Sequence, residues 1–162
     1  MIDAITVREL FDYDAATGVF TRRVTTNNNG ARQGAVITTA NGPGRHLITR
    51  FAGKKYYLHR LAWLYVYGRW PDHVIDHING DPTDNRIDNL RDVLQFVNQQ
   101  NQRSAHADNR HGLMGVAKNH KRFSAQLQAE GKYHYIGTYD TPEQAHAAYI
   151  EARRELHKGN TL

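Results

Sequence analysis

The 162-residue chain has no cysteine, only four prolines and two methionines. The missing cysteine excludes disulfides, Cys-ligated zinc and thiol nucleophiles, and it fits a reducing compartment. No apolar run reaches the roughly 18 residues of a membrane span. The opening Met1-Ile2-Asp3-Ala4 lacks the basic-then-apolar layout of a secretory signal. At this length an α/β barrel of about 250 residues is excluded. One ordinary domain or two to three small modules remain.

What the chain does have is positive charge. The net charge of +5 and the pI of 9.6 favour a polyanionic partner. The excess is unevenly spread. Residues 1–70 hold ten Lys/Arg against four Asp/Glu, residues 71–102 two against six, and residues 103–162 nine against six. Basic flanks suit a grip on phosphates, and a carboxylate-rich centre suits a bound cation. An Asp- and Asn-rich turn region accounts for the same centre without function.

Local patterns predict the elements. Thr6-Val7-Arg8-Glu9 reads as a capping box opening a short helix through Phe11, followed by a turn at 14–18 and a strand over Val19 to Val24. Residues 25–45 read as a long loop around one short strand near 35–37. Residues 46–51 and 54–57 form an expected hairpin closing at Ala52-Gly53. Leu58, Leu61, Ala62, Tyr65 and Val66 recur at helical spacing up to Gly68. A strand over 74–78, a polar loop, a strand over 91–94 and a helix over 95–104 then form one unit. After a polar linker come strands over 114–118, 123–129 and 132–138, with a turn at Glu130-Gly131. Thr141-Pro142-Glu143-Gln144 begins a final helix that stops at Gly159.

The middle unit carries the chemistry. Phosphodiester hydrolysis needs an activated water, charge stabilisation on phosphate and help for the leaving oxygen. A neutral imidazole such as His77 can take the water's proton near neutral pH. Asp76 and Asn98 are suited to Mg²⁺, which prefers oxygen ligands. Asp76 and His77 are adjacent on a strand, so they face opposite ways unless the strand bends.

The order Asp76-His77-Ile78-Asn79-Gly80, Asn85-Arg86, Asn89-Leu90-Arg91, then Asn98 and Asn101 resembles the HNH motif. In particular it resembles the phage homing-endonuclease branch of the His-Me finger superfamily. The resemblance implies a ββα-metal unit with His77 as general base and Asp76 and Asn98 as ligands of a divalent ion, Mg²⁺ or Mn²⁺. It also implies a structural role for Asn89, bonding across the loop to hold the His-bearing strand. Leu94 and Val97 stand where the family often has Thr or Ser and Glu. The zinc-cysteine subtype is excluded by composition. Lys55 to Trp63 resembles the His-Arg-Leu helix that precedes this unit in the family. His59 is read as packing there, while Arg60 is open between packing and phosphate contact.

Gly115-Val116, Phe123-Ser124-Ala125, Tyr135-Ile136-Gly137-Thr138-Tyr139 and Thr141-Pro142-Glu143-Gln144-Ala145 resemble the ethylene-response-factor (Apetala-type) DNA-binding domain of plants. That likeness implies a sheet entering the major groove. Lys118, Lys121, Arg122, Gln126, Gln128, Lys132 and His134 would then face DNA. Arg60 and Arg91 join them as expected DNA contacts.

The expected fold is α+β, built of small modules. These are a β-rich N-terminal module with helices (1–70), the ββα unit (71–104), a linker (105–111) and a three-stranded antiparallel sheet with one helix (112–162). The expected function is metal-dependent DNA endonuclease, nicking or cutting both strands of double-stranded DNA as a monomer or homodimer. The expected setting is the cytoplasm of a bacterial host, with a phage-encoded origin and no membrane association. A non-enzymatic DNA-binding regulator with a vestigial HNH unit, and an RNA-directed nuclease, remain alternatives.

Overall fold

A computed structural model describes residues 2–25, 32–40, 45–100, 112–129 and 131–157. The fold is α+β, with small antiparallel sheets of two or three strands and four helices among the described residues. The chain divides into two compact units, Met1–Gln95 and Phe96–Leu162.

In the first unit, α1 (Ala4–Leu10) is capped by Asp3, whose carboxylate accepts from the Thr6 amide at 2.8 Å. The expected start at Thr6 is therefore corrected to an aspartate three residues earlier, a strong N-cap in its own right. Strands β1 (Phe11–Asp14) and β2 (Val19–Arg22) pair as a hairpin. The strand expected near 35–37 reduces to an isolated bridge between Thr21 and Val36. The expected second hairpin forms from β3 (Ile48–Phe51) and β4 (Lys54–Tyr57). Ala52 and Gly53 both have positive φ, as a type I′ turn requires.

Helix α2 (Leu58–Tyr67) follows β4 directly and has the extent its apolar spacing predicts. Leu58, Leu61, Ala62 and Leu64 are buried against Val7, Phe11, Phe20, Ile37, Tyr56, Ile75 and Leu90 in one core. Each fully buried aliphatic side chain there is worth about 1.5–3 kcal/mol. Strands β5 (Val74–His77) and β6 (Leu90–Val93) pair antiparallel, with Asp76 opposite Arg91 and His77 opposite Leu90. Ile75 and Leu90 thus anchor this two-stranded sheet to α2 and leave its polar residues at the edge of a common core.

The second unit begins within α3 (Gln95–Gln100). The remainder of the helix expected over 95–104, the expected linker and the stop at Gly159 lie outside the described residues. Strands β7 (Val116–Asn119), β8 (Arg122–Ala129) and β9 (Lys132–Tyr139) form the predicted three-stranded meander. Helix α4 (Pro142–Leu156) opens on the expected capping box between Thr141 and Gln144. Its Ala145 and Tyr149 pack against Val116, Ala125 and Leu127 of the sheet. Close packing is imposed at Gly115, where φ is +72° and a Cβ would lie 1.9 Å from the Tyr149 ring.

Candidate active site

The loop between β5 and β6 folds back on itself through its own polar side chains. Asn89, at the end of a short 3-10 turn (Ile87–Asn89), accepts from the Asn79 amide at 2.9 Å. Its amide nitrogen donates to Asn79 Oδ1 at 3.0 Å and to the Asp84 carbonyl at 2.8 Å. The Asn89 carbonyl in turn accepts from the Ile78 amide at 2.9 Å. One buried asparagine therefore ties both ends of the loop to the residue that follows His77. Asp84 is held chiefly by the Arg86 guanidinium, with Asn79 adding a hydrogen bond, which together keep its carboxyl below the ordinary aspartate range.

This loop also rests on the first hairpin. Tyr13 donates its hydroxyl to the Asn85 carbonyl at 2.7 Å, and the Ile87 amide donates to the Ala15 carbonyl at 3.1 Å. Gly18, in the turn of that hairpin, sits so close that a Cβ would lie 2.5 Å from Arg86 N and Asn85 C.

Asp76 and His77 are both buried, and they keep separate partners. The Asp76 carboxylate receives Arg91 from the paired strand, with Nε at 2.8 Å and Nη2 at 2.7 Å. His77 Nε2 lies 3.2 Å from Asn85 Oδ1. An amide oxygen only accepts, so Nε2 carries the proton and the ring's lone pair falls on Nδ1. Asn85, only 1% exposed, therefore sets the tautomer of His77. Burial lowers the pKa of His77, opposed by the hydrogen bond to Asn85 and by nearby carboxylates. The imidazole is thus a neutral proton acceptor to lower pH than a free one.

Two further histidines converge on His77. His46 precedes β3 and His59 is the second residue of α2; one ring nitrogen from each of the three lies within 4.8 Å of the others. Burial pushes His59 down to about 3, with the neighbouring imidazoles adding to the shift. Burial and His77 also lower His46, partly offset by the Pro82 carbonyl.

Asn98 lies half-buried on α3. Arg60 is half-buried, with its guanidinium over the Trp70 ring and 3.4 Å from the His73 carbonyl. Arg91 is engaged with Asp76 as described. In the second unit Lys118, Lys121, Arg122, Gln126, Gln128 and Lys132 are exposed, and Arg122 pairs with Asp140 at 2.9 Å. His134, Lys132 and Lys118 are corrected in their facing. They register with Leu127, Ala129 and Phe123 on the side that α4 covers, His134 half-buried and the two lysines exposed, while Gln126 and Gln128 register with Tyr135 and Tyr133. Those two tyrosines, 68% and 77% exposed, belong to the outer face and carry no charge that marks them in the sequence. Asn85 was visible within the motif, although nothing local to it announces a bond to His77. His46 opens the expected strand over 46–51, and nothing in that strand pattern points to His77.

The Asp76 carboxylate is a hard oxygen donor of the kind a Mg²⁺-class ion takes, and Arg91 compensates its charge within the fold.

Residues 56–100 match the HNH endonuclease family. The chain is similar to protein 3.8 of Escherichia phage T7, with 34% identity over 102 residues, covering 61% of this chain and 83% of that protein. No solved structure matches.

Proposed function

We propose that this chain, which belongs to the family of phage T7 protein 3.8 and carries an HNH endonuclease domain, is a divalent-ion-dependent endonuclease acting on double-stranded DNA. The observation that carries the reading is the buried His77, held by Asn85 in one tautomer beside a buried Asp76. A surface Asp-His pair in a solvated turn has no comparable support.

In this reading His77 accepts the proton of a water molecule at Nδ1 as the water oxygen bonds to phosphorus. The P–O3′ bond breaks, and the departing 3′ oxygen takes up a proton, leaving 3′-hydroxyl and 5′-phosphate ends. Asn85 keeps Nε2 protonated throughout, and Asn89 keeps the His77 strand and its loop in register. Asp76 and Asn98 are the oxygen donors we assign to the ion. When bound, Mg²⁺ or Mn²⁺ supplies positive charge against the phosphate and the leaving oxygen.

The second unit is assigned to target recognition, in the manner of the ethylene-response-factor-like domain. Its sheet has one face covered by α4 and leaves Gln126, Gln128, Tyr133 and Tyr135 exposed on the other. Glutamine reads adenine edges in the major groove, and the exposed Lys118, Lys121 and Lys132 suit backbone phosphates. With one HNH unit per chain, a monomer nicks and a homodimer cuts both strands. A phage-encoded enzyme working in the host cytoplasm is the setting that fits the relative.

The test is plasmid cleavage. Supercoiled plasmid incubated with the protein and Mg²⁺ is expected to yield nicked or linear product. His77→Ala is expected to bind DNA but cleave at least about 10²-fold more slowly. A His77→Ala protein that cuts as fast as the parent overturns the assignment.

A further inference from the structure

We infer that His46, His59 and His77 form a second cation site, suited to a borderline transition ion such as Zn²⁺, whose occupation silences the nuclease. Three elements distant in sequence deliver these side chains to one point. Their ring centroids are 4.8 Å (His46–His59), 5.2 Å (His59–His77) and 5.5 Å (His46–His77) apart. No periodic packing requirement explains three imidazoles there. Aliphatic side chains of similar size would fill the same space without any polar atom to satisfy.

Nδ1 of His46 and Nδ1 of His59 are buried and have no hydrogen-bond partner among the described residues. Buried polar atoms are normally paired, and orphaned ones signal a missing water or ion. Two orphans beside a third imidazole point to a shared ligand. Metal–nitrogen bonds of about 2.0–2.1 Å in tetrahedral geometry set ligand nitrogens about 3.3 Å apart. One ring nitrogen of each histidine lies within 4.8 Å of the others, so modest side-chain rotation closes the site. The donor set also chooses the ion. Neutral imidazole suits Zn²⁺, Ni²⁺ or Cu²⁺, whereas Mg²⁺ takes oxygen. This site is therefore chemically distinct from the hard oxygen donor at Asp76.

Silencing follows from His77. A neutral imidazole has a single basic nitrogen, so a ring that gives its lone pair to a metal cannot also take a proton from water. That half of the inference rests on His77 being the general base, while the binding half does not.

The experiment uses the full chain freed of metal by chelation. Co²⁺ is titrated first, as a spectroscopic stand-in, and Zn²⁺ affinity is then measured against a chromophoric chelator. One equivalent is expected to bind with the visible absorption of four-coordinate cobalt. His46→Gln and His59→Gln are each expected to weaken binding at least about tenfold, while Asp76→Asn leaves it unchanged. Circular dichroism checks each variant. If buried His59→Gln does not fold, the less buried His46→Gln carries the comparison. Absence of one-equivalent binding, or unaltered affinity in His46→Gln, overturns the site.

Plasmid nicking in Mg²⁺ is then followed as Zn²⁺ is added. The parent is expected to stop near one equivalent, and His46→Gln, whatever its starting rate, to resist. Continued cleavage by zinc-loaded parent, or cleavage supported by Zn²⁺ alone, overturns silencing. If Zn²⁺ binds at the triad but Mg²⁺ supports no cleavage at all, the nuclease reading and silencing both fail and the metal site stands.

Discussion

Arg91 grips Asp76 from the neighbouring strand, with Nε at 2.8 Å and Nη2 at 2.7 Å from the same carboxylate oxygen. The pairing is dictated by register, because the two residues are direct cross-strand partners. Asp76 is buried and Arg91 only partly exposed, so water replaces the guanidinium poorly. Arg91→Met is expected to destabilise the first unit by about 3 kcal/mol in urea unfolding, as removal of one member of a buried ion pair does. Arg91→Lys is expected to recover less than the full loss, because a single ammonium cannot reproduce the two-pronged contact. A Met variant as stable as the parent would show that the pair contributes nothing to the fold.

The pH dependence of cleavage follows from burial of His77. Its pKa is lowered by desolvation, so the imidazole stays neutral below the usual 6.5. A general base works only when deprotonated, and activity is lost as pH falls through its pKa in the free enzyme. The acidic limb of kcat/KM under saturating Mg²⁺ is therefore expected to have its midpoint below 6.5. Asn85 opposes the shift by stabilising the protonated ring. Asn85→Ala is expected to move that limb further down while lowering the plateau, since the ring loses its fixed tautomer. A parent limb centred above 6.5 would contradict the burial argument.

His59 makes an acid-stability prediction. Its folded-state pKa lies near 3, against about 6.5 when unfolded. Between those values the unfolded chain binds the proton and the folded chain does not. The stability associated with neutral His59 is thus fully present above about 6.5 and is lost progressively as pH falls toward 3. Thermal melting with chelator present is expected to show a steep decline over that window. His59→Gln, which cannot take up the proton, is expected to flatten it. An unchanged slope in that variant would mean another group governs acid unfolding.

How much of this was legible in the sequence depended on whether the signal was local. Helix α2 was readable because Leu58, Leu61 and Ala62 repeat at helical spacing and Gly68 ends them. Helix α4 was readable because its capping residues, Thr141 and Gln144, stand three apart in the chain. The HNH residues were readable as an ordered set, because metal and base chemistry constrains residue type as well as spacing. Long-range contacts left no such trace. His46 reaches His77 only through the tertiary fold, from well upstream in the chain. Tyr13 and Gly18 support the Asn85 loop from a hairpin far upstream. At the first helix the Thr6 and Glu9 spacing competes with Asp3 as a local cap signal, and only the fold shows that Asp3 caps it.

Two glycines separate the units experimentally. A Cβ added to Gly18, at φ +74°, would lie 2.5 Å from Asn85 and Arg86 backbone, and one added to Gly115, at φ +72°, would lie 1.9 Å from the Tyr149 ring. Alanine at either position meets both a disfavoured backbone conformation, costing about 1–3 kcal/mol, and a direct clash. Gly18→Ala is expected to displace the Asn85 loop and lower cleavage, with amide exchange in residues 112–157 unaltered. Gly115→Ala is expected to loosen α4 from its sheet and raise exchange in the second unit. Equal exchange behaviour in the two variants would contradict this division of labour.

The outer face of the C-terminal sheet makes the last prediction. Gln126 and Gln128 alternate with buried Leu127, so both point away from α4, each opposite an exposed tyrosine on β9. If that face reads bases, its glutamines govern discrimination between sequences, because phosphate contacts are blind to sequence. Gln126→Ala and Gln128→Ala are each expected to cost about 1–3 kcal/mol at the preferred site and little on random duplex. Lys118→Ala is expected to weaken both by similar amounts and to reduce the slope of log affinity against log salt by about 1. The contrast separates recognition from charge attraction, which an overall loss of binding cannot do. Glutamine variants that bind all sequences as the parent does, alongside a lysine variant with an altered salt slope, would leave this sheet a purely electrostatic anchor.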